Sequence, residues 1–302
     1  MQKIAFIVNP VSGTGGKTSL LRQIQQTFTP AAGWETDIYQ TTGHGDAYRA
    51  ALAYREQGGM TAVVAVGGDG TVNQVAKALV HSGIPMGILP TGSGNGLARH
   101  LNIPISVPKA LAVLQAFHTM DIDSGSLNGE AFFCTAGIGF EANVGSRFNT
   151  APIRGLPSYM AISAMEYLQY HPESYKIYVG EQLLEPEAFL VTFANGAQWG
   201  NNVFIAPDAD ITDGLLDMVI WKRTPAMGMP MMAVQLLTRK IGKSGHIEHI
   251  RGAAFRVERK QEGWVQMDGE SCKMGASLSV EVHPRSLKVI AGRSETKHPS
   301  DR

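Results

Sequence analysis

The run Gly67-Gly68-Asp69-Gly70-Thr71 stands between an apolar β-type stretch, Thr61-Ala62-Val63-Val64-Ala65-Val66, and a helical pattern, Val72-Asn73-Gln74-Val75-Ala76-Lys77-Ala78-Leu79. A strand that breaks into glycines and then opens a helix leaves bare backbone N–H groups at a positive helix terminus, a setting that suits an anionic phosphate. Glycine lets such a ligand approach the main chain because no Cβ intervenes. Asp69 has the wrong charge for phosphate. Its presence implies a magnesium ion, or water bound to one, between carboxylate and phosphate. An isolated Asp-Gly after a strand reads as a turn. The full run, in its strand–loop–helix setting, reads as a phosphate loop.

Outward from this run, strand and helix patterns alternate. Strands are predicted at 4–8, 34–39, 61–66 and 86–89, and helices at 18–28, 46–57, 72–81, 96–101 and 107–117. This alternation predicts a parallel sheet covered by helices, with ligands at the carboxyl ends of the strands. It assigns 1–120 to an α/β nucleotide-binding domain, completed by 286–302 through a returning strand at 287–290. From Asp121 onward β-type runs dominate. Runs at 122–127 and 131–136 flank Asn128-Gly129, a hairpin turn signal. Others lie at 175–179, 188–194, 215–221, 253–258, 264–267 and 278–282. They predict a C-terminal antiparallel β-sandwich domain over 121–285, interrupted by helices at 160–170 and 227–240. The polar stretch 294–302 reads as a frayed tail.

With 302 residues and 44% hydrophobic content, the chain is long enough for two cores and is not a disordered protein. Lys plus Arg and Asp plus Glu both number 26, so no global basic field points to nucleic acid. Cys134 and Cys272 lie outside any metal-ligand spacing, and a reducing cytosol is the simplest setting. The first residues lack the pattern of a signal peptide, and no apolar run reaches membrane-spanning length. The expected localisation is cytoplasmic, with a peripheral position at the inner face of a membrane if the substrate is a lipid.

Two further glycine loops accompany the first. Asn9-Pro10-Val11-Ser12-Gly13-Thr14-Gly15-Gly16-Lys17 resembles a P-loop but has Val11 where that motif needs glycine. Leu89-Pro90-Thr91-Gly92-Ser93-Gly94-Asn95-Gly96-Leu97 departs from the dinucleotide fingerprint at Leu97, which disfavours a Rossmann dehydrogenase. Three donor-rich loops at one sheet edge make a nucleotide-phosphate pocket. Asp208, Asp210, Asp213 and Asp217 form an acidic cluster that suits either a hard divalent cation or a solvated turn. Met267-Asp268-Gly269-Glu270 is either a plain hairpin turn or, if it faces the phosphate loops, a source of a general base.

Taken together, Asn9-Pro10-Val11-Ser12-Gly13, Gly67-Gly68-Asp69-Gly70-Thr71, Leu89 to Asn95, Asp213-Gly214-Leu215-Leu216-Asp217 and Asp268-Gly269-Glu270 resemble the diacylglycerol kinase catalytic family, which includes bacterial lipid kinases and sphingosine kinases. The resemblance implies a two-domain enzyme, the first domain folded like phosphofructokinase and NAD kinase, with ATP held in the cleft between domains. Carried over by position, ATP contacts fall on Asn9, Pro10, Ser12, Gly13, Thr41, Gly67, Gly68, Asp69, Gly70, Thr71, Asn73, Gly92, Ser93 and Asn95. Asp210, Asp213 and the Leu215 carbonyl match a structural magnesium site. Asp268 and Glu270 match the carboxylates of the proton-acceptor role, with Glu270 slightly favoured as acceptor and Asp69 organising catalytic magnesium. The implied cofactors are ATP and Mg2+. Gly96 replaces an acidic residue common in the family, which brings a sphingoid base into consideration beside diacylglycerol.

The resulting expectation is an ATP-dependent lipid kinase acting on a lipid hydroxyl at a membrane surface, with no nucleic-acid partner and with a homodimer as a further option. Alternatives are a sphingoid-base kinase, an NAD kinase-like small-molecule kinase and a noncatalytic lipid-binding protein. The Met-rich stretch Ala226-Met227-Gly228-Met229-Pro230-Met231-Met232, followed by Arg239, Lys240 and Lys243, reads first as a helix packed over the sandwich and second as a membrane-facing helix. Glu141, in Gly137-Ile138-Gly139-Phe140-Glu141-Ala142-Asn143, reads as a partner for a cationic amine or as a structural hydrogen-bond acceptor.

Overall fold

The computed structural model describes residues 1–13, 16–150 and 156–292, the side chains of 149–150, 156–160, 168 and 226 excepted. Two residues of the first glycine loop, Thr14 and Gly15, and the expected tail at 294–302 lie outside them. The chain divides into two compact units, Met1–Asp121 with the stretch from Leu287 onward, and Ile122–Ser286.

Unit 1 is an α/β layer structure. Its elements in chain order are β1 (Gln2–Val8), α1 (Lys17–Thr27), β2 (Trp34–Gln40), α2 (Asp46–Gln57), β3 (Ala62–Gly67), α3 (Asp69–Leu79), β4 (Met86–Pro90), α4 (Gly96–His100) and α5 (Val107–Ala116). The strands are parallel. β1 lies between β2 and β3, and β3 pairs with β4 in the register Val63↔Met86 to Gly67↔Pro90. Every residue of β3 and β4 is buried, as expected of strands covered on both faces. The helices bury single apolar stripes: Leu20 and Ile24 on α1; Val72, Val75, Ala76 and Leu79 on α3. Gly87 allows α5 to close on β4, since a Cβ there would collide with the Leu114 side chain.

Unit 2 is an antiparallel β-sandwich. It begins within β5 (Thr119–Leu127), followed by β6 (Glu130–Phe132), β7 (Thr135–Gly139), α6 (Phe140–Thr150), α7 (Leu156–Gln169), β8 (Glu173–Val179), β9 (Gln182–Leu184), β10 (Glu187–Ala188) and β11 (Leu190–Ala194). After these come β12 (Gln198–Gly200), β13 (Val203–Phe204), β14 (Leu216–Trp221), α8 (Met229–Leu237), β15 (Ile247–Gly252), β16 (Ala254–Arg259), β17 (Gly263–Met267), β18 (Glu270–Met274) and β19 (Ser277–Ile290). One sheet runs β15-β14-β11-β7-β17-β18; the other places β16 between β8 and β19. Their inner faces share one core: Ile138, Val191, Phe193, Met218 and Val265 from the first meet Ile177, Phe255, Val257, Leu278 and Val280 from the second. The last residues of β19 belong to unit 1, where Val289 pairs with Met86 of β4.

The structure differs from the sequence expectation in its finer elements. The run at 131–136 is not one strand but two, β6 and β7, because the peptide groups between them turn toward Asp268. α6, β9, β12, β13, β15 and β18 occupy segments with no predicted element. The Met-rich stretch forms a helix over the sandwich, where Met232 enters a core cluster with Leu190, Val219 and Trp221. Among the described residues, no helix is long and apolar enough to cross a membrane.

Candidate active site

In unit 1 the three glycine loops meet at the carboxyl ends of β1, β3 and β4. Backbone bonds set the order: Asn9 N donates to Val66 O and Thr91 N to Gly67 O, each at 2.9 Å. Side chains then tie the loops together. Asn9 Nδ2 donates to Thr71 Oγ1 at 3.2 Å, and the Ser12 and Thr91 hydroxyls lie 2.8 Å apart. Thr41 is buried beside the end of β1, its N–H donating to Val8 O at 2.9 Å. Asn73 is buried one turn into α3, whereas Pro10 and Ser93 are exposed.

Glycine is required where the second and third loops touch. A Cβ on Gly92 would collide with Gly68 Cα, and one on Gly68 would stand 3.2 Å from Gly92 Cα. The third loop closes on itself through Asn95, whose Nδ2 donates to Gly92 O at 2.7 Å. Asp69 fastens the same loop from across the gap. Its Oδ2 accepts from Asn95 N at 2.9 Å and its Oδ1 from Gly96 N at 2.7 Å. Gly96 therefore contributes its backbone N–H to the Asp69 clasp.

Beside these loops a cavity of about 330 Å³ is lined by Ser12, Gly13, Gly16, Lys17, Thr91 and Gly92, with Leu20, Ile105 and Val107 as apolar wall. Gly16 caps α1, and nothing stands within 4 Å of where its Cβ would be. Lys17 reaches back to the Ser12 carbonyl, and burial lowers its ammonium below the ordinary lysine value. A cation, a helix N-terminus and hydroxyls around a Cβ-free floor suit a phosphate-bearing ligand, while the apolar wall suits a flat ring.

The remaining candidates lie in unit 2. Asp268 sits at the β17–β18 turn with φ +48, a left-handed conformation that aspartate tolerates. Its carboxylate is enclosed by peptide donors: Phe133 N to Oδ2 at 2.7 Å, Cys134 N and Thr135 N to Oδ1 at 2.8 and 3.0 Å. Asp268 N returns a bond to Thr135 O at 2.9 Å. Glu270, two residues on and half-buried, has no side-chain hydrogen bond or ion pair among the described residues.

The acidic turn is held by local bonds and one ion pair. Asp210 Oδ1 accepts from Thr212 N at 2.9 Å and from its hydroxyl at 2.7 Å. Asp213 Oδ1 accepts from Leu215 N at 3.0 Å, while its Oδ2 pairs with Arg251. Arg251 also approaches Asp217 at 3.6 Å. Among the described residues no group of three His, Cys, Asp or Glu side chains converges as a metal site. The residues expected to bind magnesium here share one turn, in which a guanidinium pairs with one oxygen of Asp213. The turn hangs on Asp123, which sequence reasoning passed over. This fully buried carboxylate accepts from Gly214 N and Arg285 N, both at 2.7 Å. Its one signal was an acid at an inward position of the 122–127 run.

Glu141 lies in the first turn of α6 and is buried, its Oε1 accepting from Thr192 Oγ1 at 2.7 Å. A Cβ on Gly137 would occupy the space of its carboxylate. Burial pushes the Glu141 carboxyl up to about 8, held back in part by the Thr192 hydroxyl. Of the two sequence readings, the geometry supports the structural acceptor.

The family model described as the diacylglycerol kinase catalytic domain matches residues 3–127, and that described as the YegS C-terminal NAD kinase beta sandwich-like domain matches 134–291. The chain belongs to the diacylglycerol kinase catalytic family. It is similar to the diacylglycerol kinase of Bacillus subtilis strain 168, at 31% identity over 313 residues and 100% of both chains. It is similar also to the diacylglycerol kinase of Mycobacterium tuberculosis, at 31% identity over 308 residues and 96% of each chain. Among solved structures, a diacylglycerol kinase from Bacillus anthracis superposes with a TM-score of 0.74, covering 98% of each chain at 23% identity, which speaks to the fold alone. Membership makes this protein a kinase, and the expected fold, an α/β domain followed by a β-sandwich domain, is the one observed. Lys17 and Thr91, which line the cavity, were quoted in the loop motifs but missing from the carried-over contacts. Their signal was position: one opens α1 and the other directly follows β4.

Proposed function

We propose that this kinase is ATP-dependent and phosphorylates a lipid hydroxyl, diacylglycerol or a related lipid. The observation that carries the reading is the locked corner of unit 1, where the first and third glycine loops, Lys17 and the start of α1 line one cavity, and Asp69 of the second loop clasps the third. Backbone N–H groups and Lys17 hold the triphosphate, and the touching glycines keep the main chain within reach of it. In this reading Asp69 acts by bracing the third loop. Magnesium arriving on the nucleotide's phosphates supplies charge neutralisation to the transferring group. Glu270 takes the acceptor hydroxyl's proton, and Asp268 positions the turn that carries it. Catalysis of this type is positioning and electrostatics, so a bracing carboxylate matters as much as a reacting one.

The lipid is the kind of substrate that relatives' names indicate, and with it the protein works peripherally at a membrane surface. The test offers the purified protein ATP radiolabelled at the γ-phosphate and Mg2+ with, in separate arms, a total lipid extract or NAD. Label in a glycerolipid phosphate supports diacylglycerol; label in a sphingoid-base phosphate moves the reading to that alternative; label in NAD moves it to a small-molecule kinase. No labelled product with any of them, from folded protein, overturns the assignment.

A further inference from the structure

The helix α8 buries one side and leaves the other bare. Met232 is 3% exposed in the core cluster over β11 and β14, and Met229 and Leu236 are partly buried against it. On the outward side Met231 is 62% exposed, Val234 53% and Leu237 58%; Met227, in the preceding turn, is 96% exposed. Met231, Val234 and Leu237 recur at three-residue spacing, which on a helix makes one continuous stripe. A stripe of large apolar side chains in water needs a partner.

The charges around the stripe select that partner. From Lys222 to Ile247 the chain carries five cations, Lys222, Arg223, Arg239, Lys240 and Lys243, and no Asp or Glu, in a chain of formal net charge zero. All five are exposed. Lys222 approaches Glu248 at 3.6 Å, and the Arg239 guanidinium lies over the Phe204 ring at 4.1 Å. A second copy of the chain docking through the same face would bring these cations against themselves. A bilayer bearing anionic headgroups meets both needs, taking the apolar stripe at its acyl boundary and the cations among its phosphates.

We propose that α8, with Met227 before it and Arg239, Lys240 and Lys243 after it, is the face by which the protein docks on an anionic lipid surface. The proposal rests on the lipid-kinase reading for its purpose. Its tests read binding and never turnover, so each can fail while the other stands.

The full-length protein is sedimented with vesicles of phosphatidylcholine alone and of phosphatidylcholine mixed equally with phosphatidylglycerol. The wild type should bind the mixed vesicles, weaken as salt is added and leave the neutral ones. Met231→Ser with Leu237→Ser, and separately Lys240→Glu with Lys243→Glu, should each lower that binding by about tenfold or more, with unchanged circular dichroism. A second measurement needs no variant: oxidation of Met227 and Met231 by dilute peroxide, followed by mass spectrometry, should slow when mixed vesicles are present. Wild type that ignores anionic vesicles, variants that bind as it does, or methionines oxidised at the same rate with and without vesicles would overturn the proposal. So would a wild-type dimer in sedimentation velocity that the Met231→Ser, Leu237→Ser protein fails to form.

Discussion

Two Asp-Gly steps follow strands in this molecule, and they are built for different ends. Asp69-Gly70 opens α3 in unit 1, and its carboxylate reaches two peptide N–H groups of the neighbouring loop. Asp268-Gly269 turns a hairpin in unit 2, and its carboxylate is enclosed by three peptide N–H groups. Both acids hold backbone, but their neighbours differ. Around Asp69 stand hydroxyls, glycines and a helix start. Beside Asp268 stands Glu270, a carboxylate with no partner among the described residues. An acid in a catalytic motif can thus act by fixing a loop, and the acid left unengaged is the better candidate for moving a proton.

The sharpest way to break this contrast is to neutralise the two acids of the hairpin separately. Glu270→Gln should lower kcat roughly a hundred- to ten-thousand-fold while leaving the melting curve unchanged. Equal losses of stability and activity would show that Glu270 is structural after all. Asp268→Ala should act on stability first, by about 3 kcal/mol or more in urea unfolding, since three peptide donors lose a charged acceptor. A stable but inactive Asp268→Ala protein would return the proton-acceptor role to Asp268. In unit 1, Gly92→Ala should cost about 1–3 kcal/mol and weaken nucleotide binding measured by calorimetry, because the new Cβ meets Gly68 Cα. Unaltered binding would mean that the two loops move independently.

The last comparison concerns pH. Glu141 keeps its proton in the folded protein up to about 8, whereas an unfolded glutamate releases it near its ordinary value. Between those values the native state holds the extra proton, so stability declines as pH rises, by about 1.4 kcal/mol per unit, and levels off above the folded value. Glu141→Gln, which keeps an acceptor for Thr192, should flatten that slope in denaturation curves taken from pH 5 to about 9. A slope unchanged by the substitution would assign it to other groups.

Much of the fold was legible because local pattern and tertiary role agree. β3 and β4 are uniformly apolar, and both their sequence and their position say that helices cover them. Asn128 and Gly129 both adopt positive φ, as a tight hairpin turn demands. α6 was illegible because Asn143, Val144, Gly145 and Ser146 are weak helix formers. Tertiary anchors hold it instead, among them the Glu141–Thr192 bond. β15 lacks an alternating pattern and is a strand through its pairing with β14. In the candidate site, the loops were visible as glycine runs. The engagement of Asp69 and Asp268 was not, because each carboxylate bonds to peptides that are distant in sequence, and peptide N–H groups leave no mark on residue identity.

The separation between Asp268 and Phe133 is 135 residues. During synthesis, the bend between β6 and β7 therefore leaves the ribosome long before the carboxylate that fixes it. The edge of β4 waits longer still, until Val289 arrives. Both units of the molecule remain unfinished until residues 268 and 289 have been made, which leaves exposed strand edges on the nascent chain through most of the synthesis of these two units.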